Sequence, residues 1–155
     1  MTLSNQKYPR KPHIEALTKD VMCKYLPNIL TEVRGFRYIS WEVENYLKEL
    51  PGKWNYSLAA TIEQTICGFS VNSDKSGLLY VHFFYVFKNY RKIGIGKYLL
   101  IACENICREE NIRAIQLKCH KNNSNAKRFY ERNGFDIIGI DEKKDNYYIM
   151  RKQIS

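Results

Sequence analysis

Long apolar runs are absent from this 155-residue chain, and their absence excludes several classes of protein. No stretch approaches the roughly 20 apolar residues that a membrane-spanning helix needs. The opening MTLSNQKYPRKPHIEAL has no apolar core of the kind found in secretory signal peptides. No repeat, low-complexity tract or flexible linker divides the chain. We therefore expect one cytoplasmic domain over residues 1–155 with no membrane partner, in which residues 1–12 form an irregular segment.

The cysteines lack the spacing of a zinc or redox site. There are five, an odd number, and no two of them form a CxxC pair. Cys103 and Cys107 are four residues apart and would share one face of a helix, but no second pair of ligands has a matching spacing. We expect buried, reduced thiols and no metal site.

Acidic residues are scarce relative to basic ones. The 16 Asp and Glu residues against 25 Lys and Arg give a formal net charge of +9. This charge fits an anionic partner, but it also fits a lysine-rich surface facing water. The basic residues are scattered, with no polybasic block and no aromatic-basic nucleic-acid motif, so nucleic acid is not expected as a partner.

The first half of the chain predicts a mixed α/β order. HIEALTKDVMCKYLPNIL should hold a short strand and a helix that begins at Thr18 or Asp20 and ends near Pro27. A second helix should be capped by Ser40 and end at Pro51-Gly52. NYSLAATI and ICGFSV predict a hairpin and NSDKSG a turn. LLYVHFFYVF (78–87), apolar on both faces, predicts a central strand of a covered sheet.

The second half continues that order. After NYRKIGIG, apolar residues recur at helical spacing from Ile95 to Cys107. AIQLKCH predicts a strand, and SNAKRFYERNG predicts a short helix ended by Gly134. FDIIGID and YYIMRK, joined by the charged turn EKKDN, predict a final hairpin.

The stretch NYRKIGIGKYLL places Gly94 and Gly96 at the start of a helix, beside Arg91, Lys92 and Lys97. The first amides of a helix lack intrahelical partners and carry partial positive charge, so they bind anions. Glycines there let phosphate oxygens approach the backbone, whereas the other interpretation is a tight turn with glycines for packing. The third glycine of a dinucleotide motif is missing, and the P-loop pattern also fails.

The same stretch resembles the acyl-CoA motif R/Q-x-x-G-x-G/A of the GCN5-related N-acetyltransferases (GNAT superfamily), as Arg91 to Gly96. A second stretch, NNSNAKRFYERNGF, is similar to the family's NxxAxxxYxxxGF. In it the following residues match: Asn123, Ala126, Tyr130, Gly134 and Phe135. The two matches cover residues 78–135, and the first third of the chain matches only in element order.

The resemblance implies a single-domain α/β fold with a mixed, mostly antiparallel sheet and flanking helices. Its central strands, at 78–87 and 113–120, would splay apart to admit acetyl-CoA as co-substrate. The residues implied to bind the cofactor are Phe84, Val86, Arg91, Lys92, Ile93, Gly94, Ile95, Gly96, Lys97, Asn123, Ala126 and Tyr130. The pyrophosphate would lie on the amides of 92–97, the Val86 amide would meet the thioester carbonyl, and Tyr130 would protonate the leaving thiolate.

The family's frequent glutamate on the central strand is missing, because Tyr80 stands at its position. Other relatives use histidines on this strand, and His82 is a candidate base because a neutral imidazole accepts protons near pH 7. A buried histidine bonded to the backbone is the other interpretation. Tyr80, His82, Phe84 and Val86 should share one face unless a bulge intervenes. Lys118 stands where ribosomal-protein acetyltransferases carry a second glutamate, so that mechanism is not expected.

The resemblance implies an N-acetyltransferase that moves an acetyl group directly to a primary amine of a small molecule or a peptide N-terminus. The acceptor should enter between residues 28–40 and the final hairpin. Candidate wall residues are Tyr38, Trp41, Trp54, Tyr147 and Tyr148. A non-catalytic acyl-CoA sensor, or a basic RNA-associated module of the same fold, is the alternative. We expect a monomer or homodimer, and only a marginal role for His120.

Overall fold

The chain folds around one seven-stranded sheet in a computed structural model that describes residues 11–155. The strand order is β1-β2-β3-β4-β5-β7-β6, and among these strands only β4 and β5 pair in parallel. The strands are β1 (His13–Ala16), β2 (Leu58–Ile62), β3 (Thr65–Lys75), β4 (Leu78–Val86), β5 (Ala114–His120), β6 (Asp136–Ile140) and β7 (Tyr147–Gln153). This confirms the mixed, mostly antiparallel sheet. The expected irregular segment 1–12 lies outside the described residues except for 11 and 12, which precede β1.

Helices cover both faces of the sheet. They are α1 (Lys19–Val33), α2 (Val43–Leu47), α3 (Lys53–Tyr56), α4 (Ile95–Glu109) and α5 (Ser124–Arg132). One apolar cluster joins α4 and α5 to the sheet, and a second joins α1 and α2 to the opposite face. The splayed region of the sheet is therefore reached from both sides by helices and their connecting segments.

The first helix continues past the proline that was expected to end it. α1 runs through Pro27 to Val33, so that prediction is wrong. A proline inside a helix removes one backbone hydrogen bond, but α1 buries its apolar face against the sheet, and this burial offsets the loss. Thr18 rather than Asp20 is the N-cap, and its hydroxyl accepts a hydrogen bond from the Val21 amide.

The second helix is shorter than expected and has a different cap. Its N-cap is Glu42, not Ser40, because the Asn45 side chain accepts a 2.8 Å hydrogen bond from the Glu42 amide. It ends at Leu47, before Pro51-Gly52, and the one-turn α3 follows. The buried ammonium of Lys53, in α3, donates to backbone carbonyls at the end of α2: Tyr46 at 2.7 Å and Lys48 at 2.6 Å.

Strand β3 extends through most of the segment predicted as a turn. It continues to Lys75, and the turn is confined to Ser76 and Gly77, both with positive φ. The polar residue Asn72 stays in the strand because it is buried and fully bonded. Its side-chain amide donates to the Tyr56 carbonyl, and its backbone amide donates to the Ser57 hydroxyl.

A β-bulge in the middle of β4 determines which side chains reach each face. Val71 pairs with Phe83 and Asn72 pairs with Val81, so His82 is an extra residue without a partner in β3. Beyond the bulge the alternation is reversed, and Phe84 packs with α4 and α5 on the face opposite His82. Tyr80, His82, Phe84 and Val86 therefore do not share one face, which corrects the alternation expected without a bulge.

The central strands separate beyond the bulge. Parallel pairing between β4 and β5 covers only Leu79 to Val81 opposite Ile115 to Leu117, although both strands continue further. This confirms the splayed central strands.

The expectations about membrane-spanning helices and about cysteine burial can be compared with the structure of residues 11–155. Within that range, no helix is both long and apolar enough to cross a membrane. Four cysteines are buried as expected, but Cys23 is exposed because it lies on the outer face of α1. Cys103 is bonded to Ser70 and Asn72 in the core, and no cluster of three metal-binding side chains exists in the described part of the chain.

Candidate active site

The turn before α4 presents backbone amides to solvent. Lys92 and Gly94 both have positive φ, at 66° and 93°, and Gly94 is the N-cap of α4 without any side-chain cap. The first amides of α4 are therefore free to bind an anion. Lys92 and Lys97 are exposed beside them, whereas Ile95 is buried and can contribute only its backbone. Ile93 packs at the edge of the same core.

Arg91 connects this turn to the end of β4. Its Nε donates a 2.9 Å hydrogen bond to the Val86 carbonyl, and its guanidinium lies 5.1 Å from the centre of the Tyr85 ring. These contacts hold the guanidinium next to the splayed strands.

The far half of β4 has an unpaired edge that faces the splay. The Phe87 amide donates to the Cys67 carbonyl of β3. Because peptide groups alternate in direction along an antiparallel ladder, the amides of Phe84 and Val86 point away from β3. β5 has already diverged there, so these amides can bond to an extended ligand. Together with the free turn amides and the cations, this edge fits the pantetheine arm and pyrophosphate of coenzyme A.

Helix α5 closes the other side of the splay. The Asn123 side chain caps α5 by accepting from the Ala126 amide at 3.3 Å, so only its NH₂ group remains to meet a ligand. Tyr130 is buried, and its ring makes an edge contact with Phe84, 6.1 Å between centroids. Burial raises the pKa of Tyr130, so the phenol stays protonated. Among the described residues, nothing forms a hydrogen bond with its hydroxyl.

His82 occupies the bulge, and within residues 11–155 one of its two ring nitrogens has a hydrogen-bond partner. Its Nε2 lies 2.7 Å from the Ser73 hydroxyl, which leaves Nδ1 for the site. Burial, reinforced by the positive charges of nearby lysines, lowers the pKa of His82 to about 4. The ring is therefore neutral at pH 7. The Tyr80 ring lies beside it, 4.7 Å between centroids and tilted by 56°.

A narrow cavity of about 60 Å³ passes through the splay. Phe84, Cys119 and Tyr130 line it from the α4 and α5 face, whereas Phe36 lines it from the α1 face. A wider cavity of about 520 Å³ opens beside it, between residues 37–41 and the final hairpin. The residues that line both cavities are Tyr38, Ile39, Val81, His82, Lys118 and Tyr147.

The wider cavity lies where the acceptor was expected to enter. Tyr38, Trp41 and Tyr147 line it as anticipated. Trp54 does not, because its indole bonds to Glu49 beside α3. Tyr148 points to the opposite face of β7, where Lys121 and Lys127 approach its ring.

Several polar residues of the site were not anticipated from the sequence. Ser73 and Arg37 lie in segments without a motif, and Asp141 follows a strand at the edge of the sheet. Asp141 pairs with Lys118 at 3.0 Å. Although burial alone would lower the pKa of Lys118, its hydrogen bond to Asp141 raises it. Lys118 is therefore a fixed cation at the junction of the two cavities.

His120 makes more contacts within the candidate site than its position at a strand end suggested. It lines the narrow cavity, and its ring lies between Tyr38 and Tyr147, at 5.1 Å and 4.9 Å between centroids. Its Nδ1 accepts a hydrogen bond from the Asn122 amide at 3.0 Å. These contacts make it a wall residue that holds the two tyrosines.

Solved structures share this architecture. Ard1 from Thermoplasma volcanium is 22% identical, with a TM-score of 0.79 over 93% of this chain and 98% of that one. Naa50 from Arabidopsis thaliana, in complex with the bisubstrate analogue CoA-Ac-MVNAL, is 20% identical, with a TM-score of 0.71 over 92% and 99%. At these identities the comparisons establish a shared fold.

Sequence comparison gives the family. GCN5-related N-acetyltransferase 4, chloroplastic, of Arabidopsis thaliana is 37% identical over 68 residues, which cover 44% of this chain and only 23% of that relative. The model of the acetyltransferase (GNAT) family matches residues 24–135, well over half of the chain. Members of this family take acetyl-CoA as the acyl donor. This chain therefore belongs to the GNAT acetyltransferase family.

Proposed function

We propose that this protein is an N-acetyltransferase that moves the acetyl group of acetyl-CoA directly to a primary amine, of a small molecule or of a peptide N-terminus. The observation that supports it is the narrow cavity through the sheet. Residues of both faces of the sheet line it, and it shares six lining residues, His82 among them, with the wider cavity. Donor and acceptor can thus meet within the sheet, without a covalent enzyme intermediate.

Acetyl-CoA supplies an activated acetyl thioester. In the transfer, a neutral amine nitrogen bonds to the carbonyl carbon, the C–S bond breaks, the nitrogen loses a proton and the sulfur gains one. The Val86 amide faces the splay and is the donor proposed for the carbonyl oxygen. The Tyr130 hydroxyl is the donor proposed for the sulfur, since it is protonated and free of other bonds among the described residues.

His82 and its surroundings are proposed to favour loss of the amine proton. With a pKa of about 4, its neutral ring is a weak base that accepts a hydrogen bond from the amine or from a water that carries the proton away. Burial and the lysine charges that lower the pKa of His82 act in the same way on an ammonium group beside it. The site therefore favours the neutral, nucleophilic amine, with Tyr80 as a neighbour of His82.

The test combines cofactor binding with turnover. Acetyl-CoA should raise the melting temperature of the protein, and thiol release should follow when small amines and peptides with free N-termini are added. N-acetylated peptides and tertiary amines are the matched controls and should give no release. Cofactor stabilisation without release on any amine would favour the alternative, an acyl-CoA sensor, which the low basicity of His82 would suit.

A further inference from the structure

We propose that the acceptor carries an anionic group, a carboxylate or a phosphate, close to its amine, and that Arg37, Lys143 and Lys144 bind this group. The inference rests on the proposed amine acetylation and adds the substrate class. It follows from the charges around the wider cavity.

The wider cavity is strongly cationic. Four cationic side chains line it, Arg37, Lys118, Lys143 and Lys144, against one carboxylate, Asp141, so its lining carries a net charge of +3. The turn between β6 and β7 also holds Glu142 and Asp145, but neither side chain lines the cavity.

Three of these cations have no counter-ion in the described part of the chain. Lys118 is neutralised by Asp141 at 3.0 Å. No ion pair within residues 11–155 involves Arg37, Lys143 or Lys144, and all three are exposed at the cavity mouth. Lys144 approaches the Tyr147 ring, 5.9 Å from its centroid, and its charge also acts on Asp141, which already pairs with Lys118. A ligand's anion would therefore meet three cations that form no ion pair within residues 11–155, with Asp141, which pairs with Lys118, as the one carboxylate of the lining.

The two segments that carry these cations are tied together. The Tyr147 hydroxyl, on β7, donates a 3.0 Å hydrogen bond to the Tyr38 carbonyl. The Tyr38 hydroxyl in turn donates to the Asn122 carbonyl at 3.3 Å. Arg37, next to Tyr38, is thus held on the same rim as the lysines of the hairpin turn. This arrangement is partly formed before any ligand binds.

The inner end of the cavity is also surrounded by positive charge. The charges that act on His82 come from Lys75, Lys53, Lys48 and Lys118, all cationic and from four different segments. An acceptor with further positive charge would be repelled throughout the cavity. One that places its amine at His82 and an anion on the rim would compensate the rim cations.

Matched acceptors test the substrate class. One set is three hexapeptides that differ only at positions two and three, which are Asp-Glu, Ser-Gln or Lys-Arg. The other is glycylglycine and glycylglycinamide, which differ by one carboxylate. We expect kcat/KM to be on the order of ten-fold higher for the anionic member at low salt, and this preference to shrink at high salt. A preference seen only in the peptide set would place the anion on the acceptor's side chains. A preference seen only in the dipeptide pair would place it at a free carboxylate of a small acceptor.

Charge reversal at the rim tests the residues. K143E/K144E should remove the preference, whereas K11E/K24E, with the same change of charge away from the cavity, should retain it. Isothermal titration of the Asp-Glu and Lys-Arg peptides, with and without CoA, gives a readout that does not require turnover. Equal kcat/KM and equal affinity across each matched set would overturn the inference while leaving amine acetylation intact. No turnover with any amine would instead overturn the proposed function.

Discussion

Gly96 lies directly against the ring of Phe129, in the gap between α4 and α5. A Cβ at this position would be 3.2 Å from Phe129 Cζ and 3.6 Å from Val86 Cγ2. A side chain at this position would therefore force the Phe129 ring to shift by a few tenths of an ångström. Glycine at position 94 is favoured for a different reason, because the backbone φ of 93° there lies in the left-handed region that favours glycine.

Gly96→Glu should abolish acetyl-CoA binding, because it places a side chain and a negative charge where the pyrophosphate of the cofactor is proposed to bind. The contact with Phe129 means that the variant should also melt earlier, so binding must be measured on folded protein by isothermal titration. Gly96→Ala combined with Phe129→Leu is the packing control, and it should recover stability relative to Gly96→Ala alone. Wild-type affinity for CoA in folded Gly96→Glu would contradict the cofactor site.

His82→Ala should lower turnover at pH 7 by roughly 10²-fold, the lower end of general-base effects, with CoA affinity nearly unchanged. His120→Ala is the matched control, since it removes a histidine from the cavity wall rather than from the bulge, and it should cost less. Unaltered turnover in His82→Ala would leave solvent as the base.

The low pKa of His82 also predicts how stability depends on pH. Its folded-state pKa of about 4 lies below the ordinary value of 6.5, so between these values the unfolded chain binds more protons. Stability should therefore fall as pH is lowered from 6.5 towards 4. Urea unfolding at several pH values should show a smaller loss in His82→Ala, and parallel curves would contradict the buried, neutral ring.

Tyr130→Phe removes only the oxygen proposed to serve the departing thiolate. We expect a fall in turnover of ten-fold or more, with the melting temperature and acetyl-CoA affinity nearly intact, because the ring contacts with Phe84 remain. Tyr148→Phe, on β7 outside both cavities, should have normal activity. Normal turnover with a lower melting temperature in Tyr130→Phe would make this residue structural.

Lys53 should make stability rise with pH above neutrality. Burial lowers its pKa to about 8, below the 10.5 of an unfolded lysine, so the unfolded chain binds more protons between these values. The stability of wild type relative to Lys53→Met should therefore increase by roughly 1 kcal/mol per pH unit between pH 8 and 9. A pH-independent difference for Lys53→Met would refute a buried charge there.

Much of the fold could be predicted from local patterns. β5 and β7 were anticipated almost to the residue because apolar and aromatic residues there are bounded by turn residues. α4 and α5 were anticipated because their starts carry motif residues, Gly94 and Asn123. The errors fell where tertiary contacts outweigh local preference. Pro27 remains helical because α1 is packed on the sheet, and Asn72 remains in β3 because buried partners bind it.

The two sides of the candidate site also differ in how far they could be predicted from the sequence. The proposed cofactor side is encoded by contiguous motifs, so its candidate residues could be named from the sequence, and they remain a prediction. The acceptor side is assembled from the loop before α2, the β4 bulge and the β6–β7 turn, which meet only in the folded chain. A one-residue bulge at His82 is invisible to a period-two pattern, and for that reason the placement of Tyr80 and Phe84 on opposite faces was not predictable.

The short pairing of β4 with β5 has a consequence for the molecule as a whole. Three register pairs connect four strands on one side of the sheet to three on the other, so the hydrogen-bonded seam is weakest at its centre. A ligand that bonds to the free amides of Phe84 and Val86 would bridge this seam and add its binding free energy to that of folding. Amide hydrogen exchange at these two positions would then slow on CoA binding, and the two halves of the sheet would unfold as one cooperative unit.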